Sequence, residues 1–386
     1  MRGMSPRRCL LLPLLAFALS AAPAGAAVPT SFYTASSMPA KPGLMMKSIT
    51  VHGGNLPSGG KSDVIMYSSQ APDGKIVAVT GIVTVPKGKA PKGGFPVVSW
   101  AHGTTGIADS CAPSRFAGNP PKGVYDRNFR AEASEWVSDG YAVVQTDYQG
   151  LGTAGMHPYL IGISEGRSVI DIVRAAHGLD RRVGKRWVSI GHSQGGHAAM
   201  WAAALGPKYA PSLRLVGNVP LAPANHIGEQ AQAINKVAGN PFGGIPALII
   251  AAGLESAGVA PETALSDKAL ALYPQIEQVC LDKLSADDSW GGLALNEIFR
   301  SDYDTAPLIA LLQANDPEDL IIKVPVLIGQ GRADTTVIPS LTDQTVDELK
   351  SHGVKVTYKT YEGVNHTGVV EAARKDTDKF IHKVLG

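Results

Sequence analysis

Trp187-Val188-Ser189-Ile190-Gly191-His192-Ser193-Gln194-Gly195-Gly196 runs from a β-like segment into a serine with glycine two residues to either side. His197 to Leu205 then continue as an alanine-rich helical segment. A serine set this way between strand and helix has the pattern of a nucleophile elbow. The requirement is steric, because a strained strand-to-helix turn brings backbones so close that only small neighbours fit. The following helix directs the positive end of its dipole at Ser193 and at any oxyanion forming beside it.

On either side of this stretch the chain alternates strand-like and helix-like segments. Asp63 to Ser68 and Ile76 to Val85 read as early strands around the turn Pro72-Asp73-Gly74. Pro96 to Ala101 is continuously apolar, as expected of a strand buried on both faces of a parallel sheet. A helix near Ala131 to Asp139, the strand Tyr141 to Thr146 and a helix capped by Ser164 come next. The strand Leu213 to Val219 follows the elbow. From about Pro223 to Asp319 no comparable strand occurs, only helical pieces rich in alanine and leucine. Regularity resumes with Val324 to Gly329, a helix near Leu341 to Lys350, the strand Lys355 to Tyr361 and a final helix from Val369 to Leu385. Repeated βα units imply a mostly parallel central sheet flanked by helices, an α/β fold with an inserted helical cap. The expected divisions are a signal peptide (1–27), a first part of the core (28–222), the cap (223–319) and a second part of the core (320–386).

Arg2, Arg7 and Arg8 followed by the apolar run Leu10 to Leu19 and by Ala24-Gly25-Ala26 fit a cleaved export signal. A secreted or periplasmic protein is therefore expected. The formal net charge of +2 is near balance, and no Lys/Arg cluster suggests a nucleic-acid partner. Of the three cysteines Cys9 departs with the signal. Cys111 and Cys280 remain as an even pair in an oxidising compartment, which argues for one disulfide, two free buried thiols being the alternative. No Cys/His cluster has metal-ligand spacing and no glycine-rich loop fits a nucleotide, so neither metal nor cofactor is expected.

A nucleophilic serine needs a base, and the base an orienting acid, in the order Ser, acid, His along the chain. Ligands bind outside the carboxyl ends of parallel strands. Asp334 follows the strand Val324 to Gly329 and His366 follows Lys355 to Tyr361, which makes them the candidates. His366, when neutral, would take the Ser193 proton and return it to the leaving group, with Asp334 fixing the imidazole tautomer. The oxyanion donors expected are the backbone N–H of Gln194 and, from the loop His102-Gly103-Thr104-Thr105-Gly106, that of Thr104. His102 itself reads as structural. Tyr148 reads as part of a strand-terminating turn, with a substrate-lining role as the alternative. Asn240 to Gly258, apolar and glycine-rich, reads as the cap's own core, with a mobile lid as the alternative.

These residues resemble the α/β-hydrolase superfamily and, more narrowly, the secretory lipase family that includes the fungal lipase-A type enzymes. The matching pieces are His102-Gly103-Thr104, Cys111-Ala112-Pro113-Ser114, Asp147-Tyr148-Gln149-Gly150-Leu151-Gly152, Ser164-Glu165-Gly166-Arg167, the elbow, and the Asp334 and His366 loops. The resemblance implies an exported carboxylic ester hydrolase with a cap over an acyl-binding pocket. Its expected partner is a small-molecule or lipid ester, with transient lipid-interface contact through the cap. A serine peptidase or amidase on the same fold, and a non-catalytic binding protein on a hydrolase scaffold, are the alternatives.

Overall fold

The Pro96 to Ala101 run shows why this sequence builds a doubly covered sheet. In the computed structural model, which describes residues 27–53, 56–117, 124–234 and 239–386, it forms a strand over Phe95–Ala101. Val97 packs into the hydrophobic cluster on one face and Val98 into the cluster on the other. Side chains alternate at period two, so a strand covered on both faces must be apolar throughout.

Among the described residues nine strands form one sheet: β1 (Met45–Val51), β2 (Gly60–Gln70), β3 (Ile76–Pro86), β4 (Phe95–Ala101), β5 (Ala142–Thr146), β6 (Val183–His192), β7 (Arg214–Leu221), β8 (Val326–Gly331) and β9 (Val356–Tyr361). Their order is β1-β2-β3-β5-β4-β6-β7-β8-β9. β1 to β3 are an antiparallel meander, β3 joins β5 antiparallel, and β5 to β9 are parallel throughout. The helices of the core are α1 (Val124–Ser138), α2 (Gly162–Leu179) and α3 (Gln194–Tyr209) before the insertion. Between β7 and β8 the described residues form helical elements, α4 (Ile227–Ile234), α5 (Ile245–Ala257), α6 (Pro261–Ala264), α7 (Asp267–Leu272), α8 (Leu281–Leu284) and α9 (Ala306–Gln313), with short 3-10 turns and one isolated β-bridge between Leu265 and Phe299. α10 (Pro339–Ser351) and α11 (Gly368–Leu385) complete the chain. α2 and α3 cover one face and α1 and α11 the other, while α10 packs beside α3 on its side of the sheet.

The segment between β7 and β8 has a hydrophobic cluster of its own, in which Ile107, Tyr159 and Leu160 from outside the segment also take part. α5 sits at its centre, with Leu248, Ile250 and Leu254 buried, so the apolar stretch Asn240 to Gly258 is that segment's core. One strand has no counterpart in the sequence reading, and one expectation needs correction. β1 was not foreseen. Ser164 is not a helix cap, because α2 starts at Gly162 and the Gly162 N–H is taken by the Asn315 Oδ1 at 2.8 Å, from the far end of the insertion. The expected signal peptide lies outside the described residues except for Ala27. Among the described residues no helix is long and apolar enough to cross a membrane.

Candidate active site

β6 delivers Ser193 in the strained conformation expected of an elbow, with φ +57° and ψ −121°. A Cβ on Gly191 would meet the Gly195 carbonyl, and one on Gly195 would meet the Ala101 carbonyl. Only glycine at these two places lets α3 leave the sheet so steeply. The turn is held by the Ser193 N–H donating to the Leu221 carbonyl at 2.9 Å.

Ser193, Asp334 and His366 come together although 173 residues separate the serine from the histidine. His366 Nε2 lies 2.9 Å from Ser193 Oγ, and His366 Nδ1 lies 2.8 Å from Asp334 Oδ2. Asp334 Oδ1 accepts the backbone N–H groups of Thr336 and Val337 at 2.8 and 2.9 Å. Gln330 Nε2 donates to Asp334 Oδ2 at 3.2 Å and is itself fixed through Thr342. Burial alone would raise the Asp334 carboxyl, but the hydrogen-bonded His366 and the two backbone donors outweigh it and hold it below its ordinary value. An ionised Asp334 fixes the imidazole with its proton on Nδ1, leaving Nε2 to accept from the serine.

His192 adds a contact that the motif alone does not reveal. Its Nε2–H donates to the His366 carbonyl at 2.9 Å, tying the histidine loop to the elbow. Burial and the neighbouring His366 push its pKa down to about 3, so it stays neutral.

Gln194 is the first residue of α3, and its N–H is one of the four that a helix leaves without an internal acceptor. Thr104 lines the cavity with Ser193 and His366, and its Oγ1 lies 2.7 Å from the Tyr159 hydroxyl. His102 is buried, with Nδ1 2.7 Å from the Gly103 carbonyl, and desolvation lowers its pKa to about 4. That fits a structural residue and not a proton carrier. Tyr148 is fully buried at φ +73°, its hydroxyl donating to the His102 carbonyl at 2.8 Å. It supports the Thr104 loop from beneath and lines neither of the two cavities that reach Ser193.

Behind Ser193 lies a buried polar network. Gln194 Nε2 is 2.8 Å from both Glu165 Oε1 and His157 Nε2. Its two amide hydrogens satisfy both acceptors, which puts the His157 proton on Nδ1, donated to the Gln149 carbonyl. Glu165 Oε2 accepts from His197 Nδ1 at 2.8 Å, and His197 Nε2 reaches the Asn315 carbonyl at 2.7 Å. Burial opposes both charges, yet the mutual hydrogen bond lowers the Glu165 pKa and raises that of His197. The two form a buried ion pair.

Two cavities meet at Ser193. One, of about 460 Å³, is lined by the Gly103–Thr105 loop, His366, Thr336 and the Cys280–Asp282 turn. The other, of about 270 Å³, is walled mainly by apolar side chains, among them Leu160, Phe242, Ile245, Ile249, Val337 and Ile338. Cys111 and Cys280 form a disulfide, and the Leu281 N–H donates to the Thr105 carbonyl at 2.9 Å beside it.

A serine on a strand-to-helix turn, with acid and histidine on later strand ends of a parallel sheet, defines the α/β-hydrolase fold. Within it the chain belongs to the secretory lipase family, whose profile matches residues 132–375. It is 27% identical over 345 residues to a Mycobacterium tuberculosis protein named "probable inactive lipase", covering 86% of this chain and 75% of that one. It is 28% identical over 232 residues to lipase 4 of Candida albicans, covering 52% of this chain and 46% of that protein. Its fold is similar to the closed state of Candida antarctica lipase A (TM-score 0.73, 19% identity, 93% of this chain and 87% of that one). It is also similar to LipA of Xanthomonas oryzae, described as a rice cell wall degrading esterase (TM-score 0.71, 20% identity, 89% and 100%).

Proposed function

We propose that this protein is an exported serine carboxylic ester hydrolase of the lipase or esterase type. Ser193 is its nucleophile, His366 its general base and acid, and Asp334 the group that orients His366. The single observation that carries the proposal is the continuous chain Asp334–His366–Ser193 with contacts of 2.8 and 2.9 Å at the floor of two joined cavities. As Ser193 Oγ attacks the ester carbonyl carbon, His366 takes its proton at Nε2 and Asp334 stabilises the imidazolium. The tetrahedral oxyanion receives the N–H groups of Gln194 and Thr104. Collapse expels the alcohol with the proton from His366, and a water activated by the same histidine releases the acid and frees Ser193.

The apolar 270 Å³ cavity suits the acyl group, and the larger cavity, with Thr104, Gln145 and Asp282 on its walls, suits the alcohol side. Residues 223–319 act as the cap, since Phe242, Ile245 and Ile249 come from that segment. Export fits the bridged cysteines and the N-terminal composition.

A non-catalytic role is the second reading, favoured by the name of the mycobacterial relative. Initial rates on p-nitrophenyl esters from acetate to palmitate, with Ser193→Ala as control, separate the two. The ester hydrolase reading expects turnover that falls by a factor on the order of 10⁴ to 10⁶ in the variant. It also expects a fluorophosphonate probe to label the parent protein only. No turnover and no labelling would establish the second reading.

A further inference from the structure

Away from Ser193, a second polar cluster sits where the inserted segment enters and leaves the sheet domain. His226 lies between β7 and α4, Glu318 between α9 and β8, and Glu348 on α10. Each residue presents a donor atom, and these atoms all lie within 4.8 Å of one another. His226 is 5% exposed. Its Nε2 is buried without a hydrogen-bond partner, as are Glu318 Oε2 and Glu348 Oε2.

Three buried polar atoms left unsatisfied at one point are costly. A protonated imidazole among carboxylates would remove that cost by drawing them in to about 2.7–2.9 Å. The observed separations are longer, 3.4 Å from His226 Nε2 to Glu348 Oε2 and 3.3 Å from His226 Nδ1 to Glu318 Oε1. Two ligands bound at about 2.0–2.1 Å to a tetrahedral ion stand roughly 3.4 Å apart, the separation of Nε2 and Glu348 Oε2. The charge is also unbalanced. Glu229 approaches His226 Nδ1 at 3.4 Å, making three carboxylates around one ring. Among the described residues, no lysine or arginine ion-pairs with any of the three. Glu348 is one-third exposed, which leaves a path for entry.

We infer that His226, Glu318 and Glu348 bind a divalent transition-metal ion of the zinc class. One imidazole with two carboxylates suits such an ion, whereas calcium takes six to eight oxygens. The three ligands come from the start of the insertion, its end and a core helix, so the ion fastens both crossings to α10. The junction is already tied once, by Asp316 accepting the N–H groups of Ile227 and Gly228 at 2.5 and 3.0 Å. The metal adds α10 to that tie. None of this depends on Ser193 being catalytic.

Chelator-treated protein titrated with Zn²⁺, read by calorimetry and by the thermal midpoint, tests the inference. Parent protein should take up one equivalent and gain thermal stability with it. His226→Asn is the chosen variant because His226 sits at φ +47°, a region asparagine tolerates. Glu348→Gln, on a partly exposed helix face, is the second and should fold normally. Zinc affinity should fall by more than about tenfold to a hundredfold in each, since loss of a ligand exceeds loss of an outer-shell partner. Failure of the parent protein to bind zinc, or unchanged affinity in both variants, would overturn the inference.

Discussion

The disulfide offers the sharpest perturbation, because two separate consequences of removing it can be worked out. Replacing Cys111 and Cys280 together by alanine opens a loop with a sequence separation of 169 residues. In the chain-entropy model, closing a loop of that length stabilises the folded state by about 5 kcal/mol. Domains are stable by roughly 5–15 kcal/mol in total, so the double variant should unfold at markedly lower urea. The second consequence is local. Next to the bridge, the Thr104 loop is joined to the insertion by the Leu281–Thr105 hydrogen bond, worth about 1 kcal/mol net. One such bond does not hold the registry that the bridge imposes. The insertion keeps its own hydrophobic cluster, so it should shift as a unit while the sheet stays folded. Cys280, Leu281 and Asp282 then move away from the cavity wall opposite Ser193. Ester hydrolysis and far-UV ellipticity followed through the same urea series are the assay. In the parent protein the two curves should coincide. In the double variant, activity should be lost at lower urea than ellipticity. Loss of both at one midpoint in the variant would refute the reasoning.

Other substitutions test the parts beneath the site. Glu165→Gln leaves His197 as a buried unpaired charge or forces it neutral, and should cost about 3–5 kcal/mol in urea unfolding. Gly195→Ala sets a methyl group against the Ala101 carbonyl and should cost at least about 1–3 kcal/mol. Gly178→Ala in α2, where the nearest atom to an added Cβ is 3.9 Å away, should instead be neutral or stabilising by up to about 1 kcal/mol. Burial lifts the Asp147 carboxyl to about 6, against an ordinary 3.8. The folded protein therefore holds that proton more tightly than the unfolded chain does. The resulting stability is full below about pH 4 and lost as pH rises through about 6. The stability of the parent protein relative to Asp147→Asn should accordingly fall by about 3 kcal/mol between pH 3.5 and 7. A pH-independent difference would contradict this assignment.

The features legible in the sequence are those whose cause is local. β4 declared itself because both of its faces are buried. The elbow declared itself because Gly191 answers to a close approach by Gly195 four residues on, and because the Gly-x-Ser-x-Gly spacing between strand and helix is itself local, although the contact that forces Gly195, the Ala101 carbonyl, comes from a neighbouring strand. Asp334 and His366 were legible because each follows a strand directly, and strand ends are where a parallel sheet collects its chemistry. β1 stayed hidden because it is an edge strand, only partly covered, whose Met-Met-Lys-Ser-Ile-Thr-Val sequence has no clean alternation. Ser164 misled for a physical reason: the start of α2 is satisfied by Asn315, which lies 153 residues away. No local pattern encodes a partner at that distance, and the same holds for the His226 cluster, whose Glu318 and Glu348 lie far along the chain from the histidine.

The pieces that carried the family resemblance turn out to serve one structural purpose. The Asp147 carboxylate accepts the Ser114 N–H at 2.9 Å, so the Cys-Ala-Pro-Ser and Asp-Tyr-Gln-Gly segments are bonded to each other. Tyr148 holds the His102 carbonyl, while the Gln149 carbonyl meets His157 and the Gln149 Oε1 accepts from Ser164 at 2.7 Å. Glu165 from the next segment grips the Gln194 side chain. Each of these residues is buried or nearly so, and none of those bonds reaches Ser193 Oγ. They converge instead on the two segments proposed to bind the oxyanion, the Thr104 loop and the first residue of α3. Oxyanion stabilisation depends on donors fixed before charge develops, because donors free to turn must first reorganise. A rigid buried frame behind two backbone N–H groups meets that demand. Loss of Glu165 or Tyr148 should therefore lower kcat more than it raises KM, the signature of an interaction made only in the transition state. Equal effects of Tyr148→Phe on kcat and on KM would show that this frame serves stability alone.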